Sequence, residues 1–159
     1  AQLSLWDTLW NAGQPHAIAP FGMRAMMSMR LDRFFGSWMS EFSPDYTAAE
    51  TGLDRFISLK KNTDFIGRSV AEAERVKPPN RQLVVFEVDA IDADVVAYEP
   101  VFIDDKVQGF CTSGGYSHHA EKSIAFALVP RSSVTDTLAV EIEILGQRCK
   151  ARRLMEPLL

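Results

Sequence analysis

Arg24, Ser28 and Asp32 recur every fourth residue, so a helix through them lines up a cation, a hydroxyl and a carboxylate in one stripe. A carboxylate accepts two parallel hydrogen bonds as a fork, which suits it to a flat ring with adjacent N–H groups. The alternative for Asp32 is an ordinary solvated acid beside Arg33. Phe34, Phe35 and Trp38 follow at once. Aromatics there can wall or stack on a planar ring, or they can be core, the commoner fate at helical spacing. Lys60-Lys61 offers flexible ammonium groups suited to a solvated carboxylate, or a plain surface pair. Glu50 carries binding and structural readings of equal weight. In the second half Ser113 lacks a Gly-x-Ser-x-Gly elbow. His118 and His119 are adjacent, so they diverge on an extended chain, and no third ligand stands at helical spacing. Cys111 and Cys149 fit no metal spacing. No catalytic residue and no metal ligand is therefore assigned.

The elements that must position these residues change character at Lys77-Pro78-Pro79-Asn80, because two prolines end a helix and extend the residue before them. Before it the period is helical. Leu3, Trp6, Leu9 and Trp10 share one face of a first helix that Gly13 is placed to end. Met23, Met26, Met27, Leu31, Phe34 and Phe35 mark the apolar face of a second helix. Ser69–Val76 reads as a short third, with Phe65 and Ile66 stapling its entry. Leu53–Leu59 reads as a lone strand. Beyond the prolines the period is two: Leu138, Val140, Ile142 and Ile144 alternate with polar or small residues. Leu83–Val88, Val101–Ile103, Val107–Thr112, Ser123–Leu128 and Gln147–Leu154 are further strands. Asp104-Asp105 is a tight hairpin link, and Gly114-Gly115 reads as a sharp turn. Short strands at this spacing predict a small antiparallel barrel.

The chain has 159 residues, 47% apolar and 24% charged, with net charge −4. The first 77 residues are neutral overall, so the acidity lies after the prolines. No run of Lys and Arg exceeds two residues, which argues against nucleic acid. No apolar stretch approaches the ~20 residues that span a bilayer, and Leu3–Trp10 lacks the features of a signal peptide. A cytoplasmic or matrix protein with reduced thiols is the default; the sequence leaves pairing of the two cysteines open.

The run FGMRAMMSMRLDRFFGSWMSEFSPDYTAAETGLDRFISLKKNTDFIGR, residues 21–68, resembles the folate-binding region of the glycine-cleavage T-protein (aminomethyltransferase) family. It is most like the version at the C-terminal end of sarcosine and dimethylglycine dehydrogenases. Arg30-Leu31-Asp32 stands where the family has Arg-Leu-Glu. Phe35 replaces a Tyr, Trp38 matches, Glu50-Thr51-Gly52-Leu53 resembles Glu-Ala-Gly-Leu, and Asp64-Phe65-Ile66-Gly67-Arg68 matches almost letter for letter. Gly109–Tyr116 followed by Ile124–Pro130 resembles the family's barrel signature.

The resemblance implies an α+β chain. Residues 1–77 would be the C-terminal part of a folate-binding α/β domain, with helices and few strands. Residues 78–159 would form a small antiparallel β-barrel. It implies tetrahydrofolate as cofactor, with Asp32 reading the pterin, Phe35 and Trp38 walling it, and Lys61 meeting the glutamate tail. The substrate would be a small N-methyl amine-derived species whose one-carbon unit passes to tetrahydrofolate. FAD would belong only to an upstream domain, since this chain has no Gly-x-Gly-x-x-Gly. Complete members carry an N-terminal half with the catalytic acid, so the chain is expected to be an inactive part of a longer protein. It is also expected to self-associate as a homodimer through uncovered apolar faces. Two alternatives stand beside this reading: a folate-dependent demethylase of the same fold, which the Asp32 and Phe35 departures favour, and a non-catalytic assembly module.

Overall fold

The computed structural model describes residues 1–133 and 139–159. Three α-helices come first: α1 (Gln2–Gly13), α2 (Met23–Asp32) and α3 (Arg68–Val76). Six strands follow: β1 (Arg81–Val88), β2 (Pro100–Ile103), β3 (Lys106–Ser117), β4 (Lys122–Pro130), β5 (Val140–Ile144) and β6 (Gln147–Leu154). They close into an antiparallel barrel in the order β1-β4-β3-β2-β5-β6, with β6 pairing back onto β1.

The barrel expectation holds, and its cause is visible in the side-chain alternation. Val84, Phe86 and Val88 of β1 point inward with Val101, Ile103, Ala125, Ala127, Val129, Ile142 and Ile144. Strand β4 is buried on both faces, which explains its unbroken apolar run. Its Ala125 and Ala127 face the barrel interior, whereas Ile124 and Phe126 face outward into a second cluster with Leu31 of α2 and Val85. Phe34 meets Phe126 edge-on at 6.3 Å. Helix α2 therefore covers one wall of the barrel. Asp104 and Asp105 both take left-handed φ (49° and 64°), the geometry a two-residue hairpin needs. Leu138, the first position of the expected β5 alternation, lies outside the described residues.

Three expectations are corrected. Leu53–Leu59 is not a strand: Leu53–Phe56 is a 3-10 turn, and among the described residues every strand belongs to the barrel. An isolated strand leaves its backbone unpaired, so tight local bonds such as Leu53 N–H to Ala48 C=O replace it. Gly114-Gly115 is not a turn but lies inside β3, and the chain reverses at His118–Glu121 instead. Gly114 is there because a Cβ would stand 2.4 Å from the Val95 carbonyl oxygen. Ile66 staples nothing, being fully exposed, while Phe65 is half-buried. The uncovered apolar faces expected of α1 and α2 are present: α1 buries no residue, and Met23, Met26 and Phe35 are exposed.

The segment between α2 and α3 is fixed by a capping box. The Thr47 amide donates to Glu50 Oε2 (3.0 Å), and the Glu50 amide donates to Thr47 Oγ1 (3.3 Å). Glu50 also pairs with Arg81 Nε of β1 at 2.9 Å, and its carbonyl accepts the Leu83 amide at 2.7 Å. Its role in the structure is thus to dock the helical lobe onto the barrel.

Gly114→Ala is expected to destabilise the protein by roughly 1–3 kcal/mol, because the added carbon meets backbone rather than a movable side chain. Urea denaturation monitored by far-UV circular dichroism checks this; an unchanged midpoint would mean that the Val95 loop moves aside at no cost.

Candidate functional site

Helix α2 ends in an unusual cap. The Phe34 amide donates to the Leu31 carbonyl (3.0 Å) and the Phe35 amide to the Arg30 carbonyl (2.9 Å). This is a Schellman arrangement, whose left-handed residue is usually glycine. Here it is Phe34, at φ 52°. No glycine marks the stop, so helical periodicity alone runs through it.

Around this cap lies a buried polar cluster that sequence reasoning missed. Glu41 has no exposed surface. Its Oε2 accepts from Arg30 Nη1 (3.0 Å), the Ser37 amide (2.8 Å) and Ser40 Oγ (2.8 Å). Its Oε1 accepts from Thr112 Oγ1 (2.7 Å) and from Ser113 Oγ. Arg30 also donates through Nη2 to Ser113 Oγ (2.7 Å) and through Nη1 to the Phe35 carbonyl (3.2 Å). Its guanidinium lies 5.6 Å from the Phe126 ring centroid.

Two successive strand residues normally face opposite sides of a sheet. Thr112 and Ser113 both reach Glu41 because β3 bulges there: Cys111 pairs with Ala127 and Ser113 with Phe126, leaving Thr112 extra. Burial on its own would raise the Glu41 pKa. The donors Ser113, Ser37 amide, Thr112 and Ser40 outweigh it and hold the carboxyl below its ordinary value. Cys111, buried beside this bulge, is pushed up to about 12 by burial and then by Glu99, so it stays an inert thiol.

The four residues singled out from the sequence occupy different settings. Asp32 is buried at the end of α2, 4% exposed. Its carbonyl accepts the Leu158 amide at 2.8 Å, while its Oδ1 has no hydrogen-bond partner among the described residues. Arg30 Nε is likewise unpartnered. No ion pair joins Asp32 to Arg33 among the described residues. Phe35 and Trp38 are exposed, 63% and 71%, so neither is core; Phe35 lies edge-on to Phe42 at 5.6 Å. Lys61 is exposed on a separate loop. Its Nζ sits 4.5 Å from the Phe65 ring centroid, and its carbonyl accepts Arg68 Nη1 at 3.0 Å. Asp32 lies at the end of α2, Phe35 follows in its cap, Trp38 lies in the Ser37–Glu41 turn beyond it, and no hydrogen bond or ion pair ties Lys61 to any of the three among the described residues. The remainder of the α2 stripe faces the barrel only at Ser28, whose hydroxyl donates to the Tyr116 carbonyl (2.7 Å).

Among the described residues, no three His, Cys, Asp or Glu side chains gather as a metal site, and no helix is long and apolar enough to cross a membrane.

A closed barrel with a helical lobe pinned to one wall by a buried carboxylate, and an orphaned acid at the lobe's inner edge, defines an α+β module built around a polar seam. The glycine cleavage T-protein C-terminal barrel domain matches residues 81–159, and the GCVT N-terminal domain matches residues 1–61. The chain belongs to the glycine cleavage T-protein family. It is 37% identical over 157 residues to the mitochondrial dimethylglycine dehydrogenase of Homo sapiens, covering 99% of this chain and 18% of that protein. It is 34% identical to the aminomethyltransferase of Symbiobacterium thermophilum, covering 97% of this chain and 41% of that protein. The crystal structure of the glycine cleavage system aminomethyltransferase T from Bartonella henselae superposes with a TM-score of 0.78 at 20% identity, covering 87% of this chain and 39% of that one, a likeness of fold. The chain thus spans well under half the length of these relatives.

The pH dependence of stability follows from Glu41. Its folded pKa is depressed, so its contribution is complete above the ordinary carboxyl value of 4.5 and is lost as the pH falls toward the lowered one. Glu41→Gln is expected to cost about 3–5 kcal/mol near neutrality, because Arg30 is left as a buried uncompensated cation. It should then lose less than the wild type between neutral pH and the acid limb. Urea midpoints measured across pH 3–7 check both (a range set by the usual carboxylate span); parallel acid limbs would show that Glu41 does not carry the acid sensitivity.

Proposed function

We propose that this chain is the folate-binding part of a tetrahydrofolate-dependent aminomethyltransferase-like protein of the dimethylglycine dehydrogenase type. The observation that supports this best is the orphaned Asp32 Oδ1. A buried acceptor without a partner costs roughly 1–3 kcal/mol, and a ligand with N–H groups on one edge would relieve that cost. A pterin has such an edge, an amide N–H beside an exocyclic amine. Tetrahydrofolate, when bound, supplies the amine nitrogens that accept a one-carbon unit from an N-methyl amine-derived substrate. Within this chain, Asp32 would orient the ring, Phe35 and Trp38 would offer exposed aromatic faces to it, and Lys61 would meet the glutamate tail. Residues 1–77 would contribute this binding surface and 78–159 the barrel that supports it. FAD would bind only in another domain of such a protein. The thiols Cys111 and Cys149 are both free, which agrees with a reducing compartment, the cytoplasm or the mitochondrial matrix.

In the intact protein, Asp32→Ala is expected to weaken tetrahydrofolate binding by about 1.5–3 kcal/mol, the worth of a buried hydrogen bond to a charged group. Lys61→Ala should cost only about 0–1 kcal/mol, as a solvated ion pair does, with its effect fading as salt rises. Isothermal titration of tetrahydrofolate at low and moderate salt checks both. Should Lys61→Ala prove the worse at moderate salt, Asp32 does not read the pterin. Absence of any tetrahydrofolate binding by the intact wild type would favour the non-catalytic assembly module instead.

A homodimer of the 159-residue chain is the partner reading that α1 supports. The helix buries none of its residues, and Leu3, Leu5, Trp6 and Leu9 are all exposed. Apolar area of this kind drives association with a second copy. Light scattering over a concentration series is expected to show dimer growing with concentration, and Trp6→Glu to abolish it; a monomer at every concentration would mean that α1 needs no cover.

A further inference from the structure

We propose that Glu41 is a positioning residue for Asp32: through Arg30 it fixes the strained helix end that aims the Asp32 carboxylate. This rests on the folate reading above, because it concerns how that site is held.

Glu41 has no exposed surface, so it meets no ligand itself. Its donors come from three separate pieces of chain: Arg30 on α2, Ser37 and Ser40 in the following turn, and Thr112 and Ser113 in the β3 bulge. The charge thus sits where those pieces meet. Arg30 is two residues before Asp32 and is fully engaged through both terminal nitrogens. One of them also holds the Phe35 carbonyl, while the Arg30 carbonyl receives the Phe35 amide. Arg30 therefore holds Phe35 by both its amide and its carbonyl.

The cap held in this way contains Phe34, a bulky residue at φ 52°. A side chain in the left-handed region costs on the order of 1–3 kcal/mol and persists only where its surroundings over-determine it. The surroundings here are the Phe126 contact and the Arg30–Glu41 pair. Asp32 stands two residues before Phe34 and Phe35 directly after it. If the cap relaxes toward ordinary helix or coil, both turn away together. A neutral amide at position 41 keeps the shape of Glu41 but gives up the charge that holds Arg30, and its N–H group opposes the hydroxyl donors on one side.

The test uses the intact protein in four forms: wild type, Glu41→Gln, Asp32→Asn and the double variant. Tetrahydrofolate is titrated into each. Glu41→Gln is expected to raise Kd by about tenfold or more, as loss of a charge-assisted contact does. The double variant should lose clearly less than the product of the two single effects, because Glu41 acts through the helix end that carries Asp32 and Phe35 and not on the ligand itself. Effects that multiply, or a Glu41→Gln protein that binds like the wild type, would overturn the proposal. A second readout needs no ligand. Amide hydrogen exchange at Phe34 and Phe35 should speed up in Glu41→Gln by a larger factor than at Val84, Val101 and Ile142 in the barrel; the general loss of stability moves all five, so the excess at the helix end reports positioning, and an equal factor at all five overturns it. Unchanged exchange at Phe34 and Phe35 overturns the positioning role. Failure of wild type to bind tetrahydrofolate, with those two amides still responding, overturns the folate reading alone. Should Glu41→Gln not fold, Ser113→Ala removes one donor to the same carboxylate and is expected to move the same two amides by a smaller factor.

Discussion

Withdrawing a carboxylate fully from water costs several kcal/mol unless charge and hydrogen bonds replace the solvent. At Glu41 the replacement is nearly complete: a guanidinium, a backbone amide and three hydroxyls converge on two oxygens. That demand organises the seam. Arg30 must lie inward from α2, which points the helix at the barrel wall and brings Leu31 onto Ile124 and Phe126. The turn after α2 must fold back so that Ser37 and Ser40 reach the same atom. Strand β3 must bulge so that Thr112 and Ser113 both face it. Remove the charge and each of these local choices loses its reason at once.

The barrel supplies the rigid half of that bargain. Its strands close without a free edge, so every interior strand pairs on both sides. Strand β4 stands between two apolar layers, one inside the barrel and one under α2. A bulge in β3 is tolerated beside such a wall because the partner strand cannot slip: a one-residue shift in β4 would exchange Ala125 and Ala127 for Ile124 and Phe126 inside the barrel. In β4 the small Ala125 and Ala127 face the interior and the large Ile124 and Phe126 face the helix, so volume as well as hydrogen bonding fixes the register.

The barrel was legible in the sequence because its signals are local and repeated. Period-two runs and the Asp104-Asp105 turn each report a strand or hairpin by themselves, and the Lys77-Pro78-Pro79 break separates them from the helices. The lobe was less so. Leu53–Leu59 has strand-like composition, but a strand needs a partner, and composition does not say whether one is present. The seam was the least legible. Glu41 sits in Ser-Glu-Phe with no periodic mark, and its partners lie about seventy residues away in β3. Ser113 drew notice only as a candidate nucleophile, whereas its hydroxyl is spent on Glu41. The clue available was chemical: a lone acid between aromatics, in a stretch where Arg30 has no nearby acid at helical spacing to answer it. Arg-Leu-Asp in its family context singled out Asp32, while the exposure of Phe35 was not announced, because the Phe34 cap that follows the helix carries no glycine.

The lobe joins the barrel mostly through polar tethers rather than a shared apolar core. These are the Glu41 cluster, the Glu50–Arg81 pair with its neighbouring Leu83 amide bond, the Ser28–Tyr116 bond and the Leu158–Asp32 bond. Apolar cover between the two amounts to Leu31, Phe34 and their few neighbours. Segments held this way open locally at a cost well below global unfolding. On the proposed folate reading, a ligand reaching the buried Asp32 would need such an opening. A carboxylate held at a hydrogen-bonded seam can be uncovered by shifting a single helix end and then re-covered with the ligand's own donors in place. On the same reading, the strain at Phe34 would lower the cost of that shift, and the Glu41 charge would set the position to which the helix end returns.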